Sequence, residues 1–353
     1  MWIQFRRLGL LAGCTAVLAM QVTSADAEAP RTRAPGRMGT LISAEPIEAP
    51  PDAQAAYRIL YRSSDSKGRP VMVSGLIALP NGPAPAHGRP IVSWGHGTTG
   101  VADDCAPSRR PQRAFAAITG LHALLRQGDV VVATDYLGLG TPGVHPYLDG
   151  DSAARSMIDA VRAARHLPDS HGGARFAALG FSQGGHATLS VAADAAAYAP
   201  ELDLVGVAAA SAPTELRPLF QADAGSRAGE VIASYAMSSW AKFYRAPIDA
   251  VIKPEAKPVL AKIASTCSLS DGDDLILGLD TFGYDNTGFL KKDADKQKTW
   301  SRLIDRNSAP MPRRGVPVFL AQGSRDQIVE ASVTRDYARL LCATGRRVNY
   351  VEV

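Results

Sequence analysis

A β-prone apolar run, RFAALG at 175–180, passes without a spacer through Phe181-Ser182-Gln183 into an alanine-rich helical run, GGHATLSVAADAAAY at 184–198. A chain that changes from strand to helix inside a Gly-x-Ser-x-Gly pentapeptide has few folds open to it. The turn must be sharp. Gly180 and Gly184 therefore stand where a side chain would crowd it, and Gly185 lets the helix begin close to the sheet. Ser182 at the tip sits at the helix N-terminus, whose free N–H groups and positive end favour any negative charge that develops there. The pentapeptide alone is a weak signal in a chain with 32 glycines. Its strand-and-helix context makes Ser182 a candidate nucleophile rather than an ordinary turn serine.

The rest of the chain repeats the alternation. Short β-prone runs fall at 90–94, 129–134, 204–210, 316–322 and 347–353, and helical patterns at 112–126 and 153–166 separate several of them. In 153–166 the apolar residues Ala154, Met157, Ile158, Val161 and Ala164 recur at three- and four-residue steps, which predicts one buried face with Arg155, Asp159 and Arg162 turned away from it. Strands alternating with helices predict an α/β fold, a mostly parallel sheet covered on both faces. AAYRILYRSS and PVMVSGLIALP, before the first of these units, read as an antiparallel edge. The alternation breaks at about 214–313, where EVIASYAMSSWAKFY, DDLILGLDTF and DKQKTWSRLIDR are helical or irregular. A stretch of about 100 residues is far longer than an ordinary connection and predicts an inserted helical cap.

At the N-terminus, Arg6-Arg7, an apolar run from Leu8 to Met20 and Ala25-Asp26-Ala27 have the anatomy of a secretory signal peptide over residues 1–27, cleaved after Ala27. Leu11-Ala12-Gly13-Cys14 resembles a lipoprotein box, but only a short apolar run precedes Cys14 and a long one follows it. Residues 28–54, rich in Pro, Ala and Arg, predict an extended leader, with folded structure over 55–353. No later segment approaches the roughly 18 apolar residues of a membrane helix. The formal charge of +4 drops to +3 once Arg6, Arg7 and Asp26 leave with the signal, too weak and scattered to argue for nucleic acid. Cys105, Cys267 and Cys342 remain, an odd number that leaves one without an intrachain partner. No His/Cys/Asp grouping has metal-site spacing.

A nucleophilic serine needs donors for the oxyanion formed when an ester carbonyl is attacked. The backbone N–H of Gln183, directly after Ser182, is one candidate. RPIVSWGHGTTG supplies the other: a strand ending at His96-Gly97-Thr98-Thr99, in which Gly97 lets the chain turn inward and present the Thr98 N–H, or that of Thr99. A carboxylate to orient the base is expected at a strand's carboxyl end after the serine, and Asp326, following VPVFLAQG, meets both conditions. Asp203 and Asp135 suit that role less well; Asp135 is expected to brace the loop YLGLGTPGVHPY.

SWGHGTTGVADDCAPS, ATDYLGLGTPGVHPYL, MIDAVRAARHL, GFSQGGHA and AQGSRDQIV together resemble the secretory lipase family of α/β-hydrolases, from about Ala55 to the last residue. The resemblance implies hydrolysis of carboxylic esters, often acylglycerols, by an exported enzyme with a helical cap and no cofactor. It implies Ser182 as nucleophile, Asp326 as acid and a Cys105–Cys267 pair. One part departs from the pattern. The base should be a histidine after the strand that follows Asp326, yet no histidine occurs after His186, so the catalytic histidine is expected beyond Val353. His96, His166 and His186 are expected to brace loops or pack, and His145 to lie on a loop that lines the pocket. The readings left open are a lipase, a short-chain or aryl carboxylesterase, and an inactive lipid- or partner-binding relative lacking the histidine.

Overall fold

The computed structural model describes residues 36–222, 227–267, 289–291 and 296–353. The expected signal peptide at 1–27, with its cleavage after Ala27, and the run DDLILGLDTF lie outside them. Among the described residues nine strands form one sheet: β1 (Leu41–Ile47), β2 (Ala53–Ser64), β3 (Pro70–Pro80), β4 (Arg89–Gly95), β5 (Val130–Thr134), β6 (Gly172–Phe181), β7 (Asp203–Ala210), β8 (Val318–Gln322) and β9 (Val348–Glu352). Their spatial order is β1-β2-β3-β5-β4-β6-β7-β8-β9. β1, β2, β3 and β5 pair antiparallel in succession, and every pair from β5 through β4 to β9 is parallel. Each parallel step needs a crossover, and the helices between strands supply it. The carboxyl ends of β4, β6, β7 and β8 consequently open on the same edge of the sheet, where open α/β sheets build their sites.

The sheet starts earlier than the expected boundary near Ala55. β1 is an edge strand drawn from the stretch read as an extended leader, with Ala44 opposite Ile59 and Ile47 opposite Ala56. Its half-buried residues Leu41, Ala44 and Ile47 recur every third position, and the register slips between Leu41 and Ser43. That irregularity removes the two-residue alternation by which a strand is recognised. Pro46 is tolerated because an edge strand has one unpaired side.

On one face, the helix Gly150–His166 and the helix Gln183–Tyr198 pack together with Tyr337, Ala338 and Leu341 of the helix Ala331–Ala343. The other face is covered by two short helices, Pro111–Ala116 and Leu121–Gln127, whose Phe115, Leu121 and Leu125 join Leu76, Val92 and Trp94. A single helix over 112–126 is expected from the sequence. It divides because Gly120 adopts a left-handed conformation (φ 76°), which breaks the helical path.

Gly150–His166 is capped by Asp149, whose carboxylate accepts the Ser152 N–H at 2.8 Å. Asp159, expected on the polar face, is instead fully buried. Donors from Ser63 and Tyr198, each at 2.7 Å, and Arg162 at 2.8 Å satisfy its carboxylate there. Burial still raises its pKa, against the pull of these donors.

Between β7 and β8 the described helices are Leu216–Ala222, Arg227–Phe243, Lys257–Ala264 and Lys298–Arg306. They build a separate apolar cluster around Trp240 and Trp300. Tyr147 and Leu148, from the loop before Gly150–His166, belong to the same cluster, and Trp240 Nε1 donates to the Tyr147 carbonyl at 2.8 Å. Cys105 is disulfide-bonded to Cys267 across 162 residues of sequence, while Cys342 is free and exposed. Among the described residues no helix is long and apolar enough to cross a membrane.

Candidate active site

The β6 strand reaches Phe181, and the helix begins at Gln183, so the whole reversal falls on Ser182. Its φ of 52° with ψ of −117° lies outside the regions a non-glycine residue ordinarily occupies. The Ser182 N–H donates to the Ala210 carbonyl at 2.8 Å, and its carbonyl accepts the His186 N–H at 3.1 Å, which hold the strained residue between β7 and the helix. The glycines around it are compelled by packing. A Cβ on Gly180 would fall 2.1 Å from the Gly184 carbonyl oxygen, and one on Gly185 would fall 2.9 Å from the Ala212 β-carbon.

Gln183 is buried, and as the first residue of the helix its backbone N–H has no intrahelical acceptor. Its side-chain amide lies 3.0 Å from Nε2 of the buried His145. His145 Nδ1 is 2.8 Å from the Leu137 carbonyl oxygen. A carbonyl only accepts, so Nδ1 carries the proton, Nε2 is the acceptor, and the Gln183 amide donates to it. Burial pushes the His145 pKa down to about 4, which keeps the ring neutral.

The loop after β4 lies beside this turn. Thr98 Oγ1 and Tyr147 Oη are 2.7 Å apart. His96, one position before Gly97, has Nδ1 2.6 Å from the Gly97 carbonyl oxygen and Nε2 3.3 Å from that of Asp135. Both ring nitrogens thus face backbone carbonyls, and burial lowers the pKa. Asp135 braces this region: it accepts from Ser74 Oγ at 2.6 Å and from the Ser108 N–H at 2.9 Å, while burial raises its pKa. Ser74 Oγ also approaches the Leu139 carbonyl of the loop that Asp135 is expected to brace.

Asp326 sits on the loop after β8. One carboxylate oxygen accepts the Ile328 and Val329 N–H groups at 2.9 and 3.0 Å, and the other accepts Gln322 Nε2 at 3.1 Å. Gln322 is itself held by Thr334, whose hydroxyl donates to Oε1 at 2.8 Å. Asp203, in contrast, opens β7 at the opposite end of the sheet. β9 runs beside β8 as far as Val353, whose N–H donates to the Gln322 carbonyl at 2.9 Å and whose carbonyl accepts the Ser324 N–H at 2.6 Å.

A cavity of about 670 Å³ brings these parts together: Ser182, His96, Thr98, Thr99 and Asp326 all line it, with Phe181 exposed at its wall. A narrower apolar recess lined by Leu148, Leu216, Leu219 and Phe220 also opens at Ser182. Among the histidines, His96 alone lines the larger cavity. His186 is buried with Nε2 2.7 Å from the Asn307 carbonyl oxygen, and His166 approaches the Gly39 carbonyl at 3.0 Å. Reading the sequence as separate motifs misses the contacts of Tyr147 and of His145 with the turn, because nothing local ties residues 145–147 to residues 98 and 183.

An open, mostly parallel sheet with a serine on a strained strand-to-helix turn at its carboxyl edge defines an α/β-hydrolase. The same fold is seen in the crystal structure of a rice cell wall degrading esterase LipA from Xanthomonas oryzae, at TM-score 0.76 and 22% identity over 90% of this chain and 92% of that one. The chain belongs to the secretory lipase family, whose model matches residues 114–353. It is 25% identical over 319 residues to Lipase A of Arthroderma benhamiae, covering 86% of this chain and 66% of that protein. It is 24% identical over 351 residues to Lipase A of Moesziomyces aphidis, covering 90% and 72%. The chain therefore spans about two thirds of the length of these relatives.

Proposed function

We propose that the protein is an exported carboxylic ester hydrolase of the lipase and esterase class, acting through an acyl-enzyme on Ser182. The observation that carries this reading is the strained Ser182 at a helix N-terminus, lining one cavity with a fixed carboxylate, Asp326. Ser182 Oγ attacks the ester carbonyl, giving its proton to a base. The oxyanion of the tetrahedral intermediate is held by the backbone N–H groups of Gln183 and Thr98. Collapse expels the alcohol, which takes the proton from the base. Water then attacks the acyl-enzyme by the same route and releases the acid.

The base in this reading is a histidine beyond Val353, oriented by Asp326. Its support is that Val353, directly after β9, is hydrogen-bonded to Gln322 and Ser324 next to the Asp326 loop, while both ring nitrogens of His96 face carbonyls. The helices between β7 and β8 act as a cap over the site. Membership in the secretory lipase family and the Cys105–Cys267 disulfide support export; cleavage after Ala27 belongs to the same reading.

The test is turnover by the full-length protein of emulsified triacylglycerols and of 4-nitrophenyl esters of increasing chain length. Hydrolysis that disappears in Ser182→Ala upholds the reading, and a preference for long-chain acylglycerols upholds the lipase form of it. Ester binding without turnover would replace it with a binding function.

A further inference from the structure

The loop between β5 and the helix Gly150–His166 reaches both proposed oxyanion donors. His145 holds Gln183 through the 3.0 Å contact of Nε2 with the side-chain amide, and Tyr147 holds Thr98 through a hydroxyl pair at 2.7 Å. Two residues apart, they grip the two backbone segments whose N–H groups must converge on one oxygen. The loop is gripped in turn by the helix Arg227–Phe243. Ser239 Oγ donates to the His145 carbonyl at 2.6 Å and accepts the Tyr147 N–H at 2.8 Å, and Trp240 Nε1 donates to the Tyr147 carbonyl at 2.8 Å. His145, Tyr147, Ser239 and Trp240 are all buried, so the bonds between the loop and the helix do not compete with bulk water.

We propose that His145 and Tyr147 are positioning residues for the oxyanion site, and that Ser239 and Trp240 transmit the seating of the cap helix to it. This inference rests on the hydrolase reading above. Donors for an oxyanion are effective only when already aimed at the position the charge will occupy, and their side chains and loops must be locked for that. A helix that moves with substrate would shift residues 145–147 and, through them, Gln183 and Thr98. The donors are then aligned when the cap is seated and misaligned when it is not.

The two nitrogens of His145 separate this role from simple loop support. Asn at 145 places its amide near the Nδ1 position, so it keeps a donor for Leu137 and loses the acceptor for Gln183. Gln at 145 places its amide oxygen near the Nε2 position and keeps that acceptor. The experiment measures kcat and KM for 4-nitrophenyl butyrate, and the affinity of a trifluoromethyl ketone that forms a tetrahedral adduct with serine, on the full-length protein and its H145N, H145Q, Y147F and S239A variants. Losing one oxyanion donor outright costs roughly 10²–10³ in kcat, so a misaligned one should cost about 10–100-fold. The expected result is that loss in H145N, KM within about twofold, ketone affinity falling in parallel, and most of the rate retained in H145Q. Y147F and S239A should lower kcat in the same sense. Should H145N not fold, Y147F, which removes one oxygen, carries the test alone.

Unchanged kcat in folded H145N and Y147F would overturn the inference, as would a loss in H145Q equal to that in H145N. Absence of turnover in the unmutated protein would instead defeat the hydrolase reading on which it stands.

Discussion

A β-carbon added to Gly184 would lie 1.8 Å from the carbonyl oxygen of Gly95. The end of β4 and the first turn of the helix Gln183–Tyr198 are in backbone contact, and this brings Gly97-Thr98 and Ser182-Gln183 to one place. Gly184→Ala should therefore cost at least about 3 kcal/mol, because neither backbone can yield as a side chain would. Gly185→Ala, whose new carbon would meet the Ala212 side chain at 2.9 Å, should cost about 1–3 kcal/mol. Urea unfolding of the two variants checks the order. Equal stability of Gly184→Ala and the parent would show that the approach is looser than described.

Asp326→Asn should leave the fold intact and reduce kcat by about 10⁴-fold, as expected when a triad carboxylate is neutralised. The amide oxygen can still accept from Ile328 and Val329, but its NH₂ would face the Gln322 amide donor now 3.1 Å from the carboxylate. Near-normal kcat in a variant with parental circular dichroism would remove Asp326 from the mechanism.

The Cys105–Cys267 bond closes a loop of 162 residues and ties the segment after β4 to the end of the helix Lys257–Ala264. Replacing both cysteines by serine should lower stability by about 2–5 kcal/mol, mostly by enlarging the freedom of the unfolded chain. The denaturation midpoint of the double variant is the measurement. Both cysteines also line the cavity at Ser182, so the same variant should show a raised KM.

Acid should destabilise the protein through its buried histidines. Burial lowers the pKa values of His96, His145 and His186 from the ordinary 6.5, that of His145 to about 4. Below pH 6.5 the unfolded chain takes up protons that the folded protein refuses, so stability is full above that value and falls as the pH drops toward 4. Each unit of displacement corresponds to about 1.4 kcal/mol. The buried Asp135 and Asp159, whose pKa values are raised, act in the opposite sense at the lower end of this window. Thermal unfolding between pH 7 and 4.5 should show a falling midpoint, with a shallower fall in His186→Phe. A flat profile would mean that these rings protonate freely in the folded state.

The turn at Ser182 is written in adjacent residues. A strand-prone run, glycines at 180 and 184 and a helix-forming run leave one local conformation that satisfies all three, and the six parallel-sheet strands are legible for the same reason. Where a partner lies far along the chain, the local pattern is silent or misleading. β1 needed β2 to become a strand, because its bulge hides the alternation. Asp159 reads as a surface residue until Ser63 and Tyr198 arrive from 96 and 39 residues away to satisfy it in the core. The disulfide could be suggested by likeness to a family, but its geometry required the chain after β4 and the helix before Cys267 to meet.

The sequence by itself determined the six parallel strands, the helix over 153–166 and the sharp turn at Ser182, since these follow from side-chain period and backbone freedom within a few residues. Only the tertiary structure decided that His145 faces Gln183, that Tyr147 faces Thr98 and that Ser239 holds the loop between them. Hydrogen bonds among buried groups depend on how crossovers are threaded through the sheet, and that threading is a property of the whole packed chain rather than of any stretch of it.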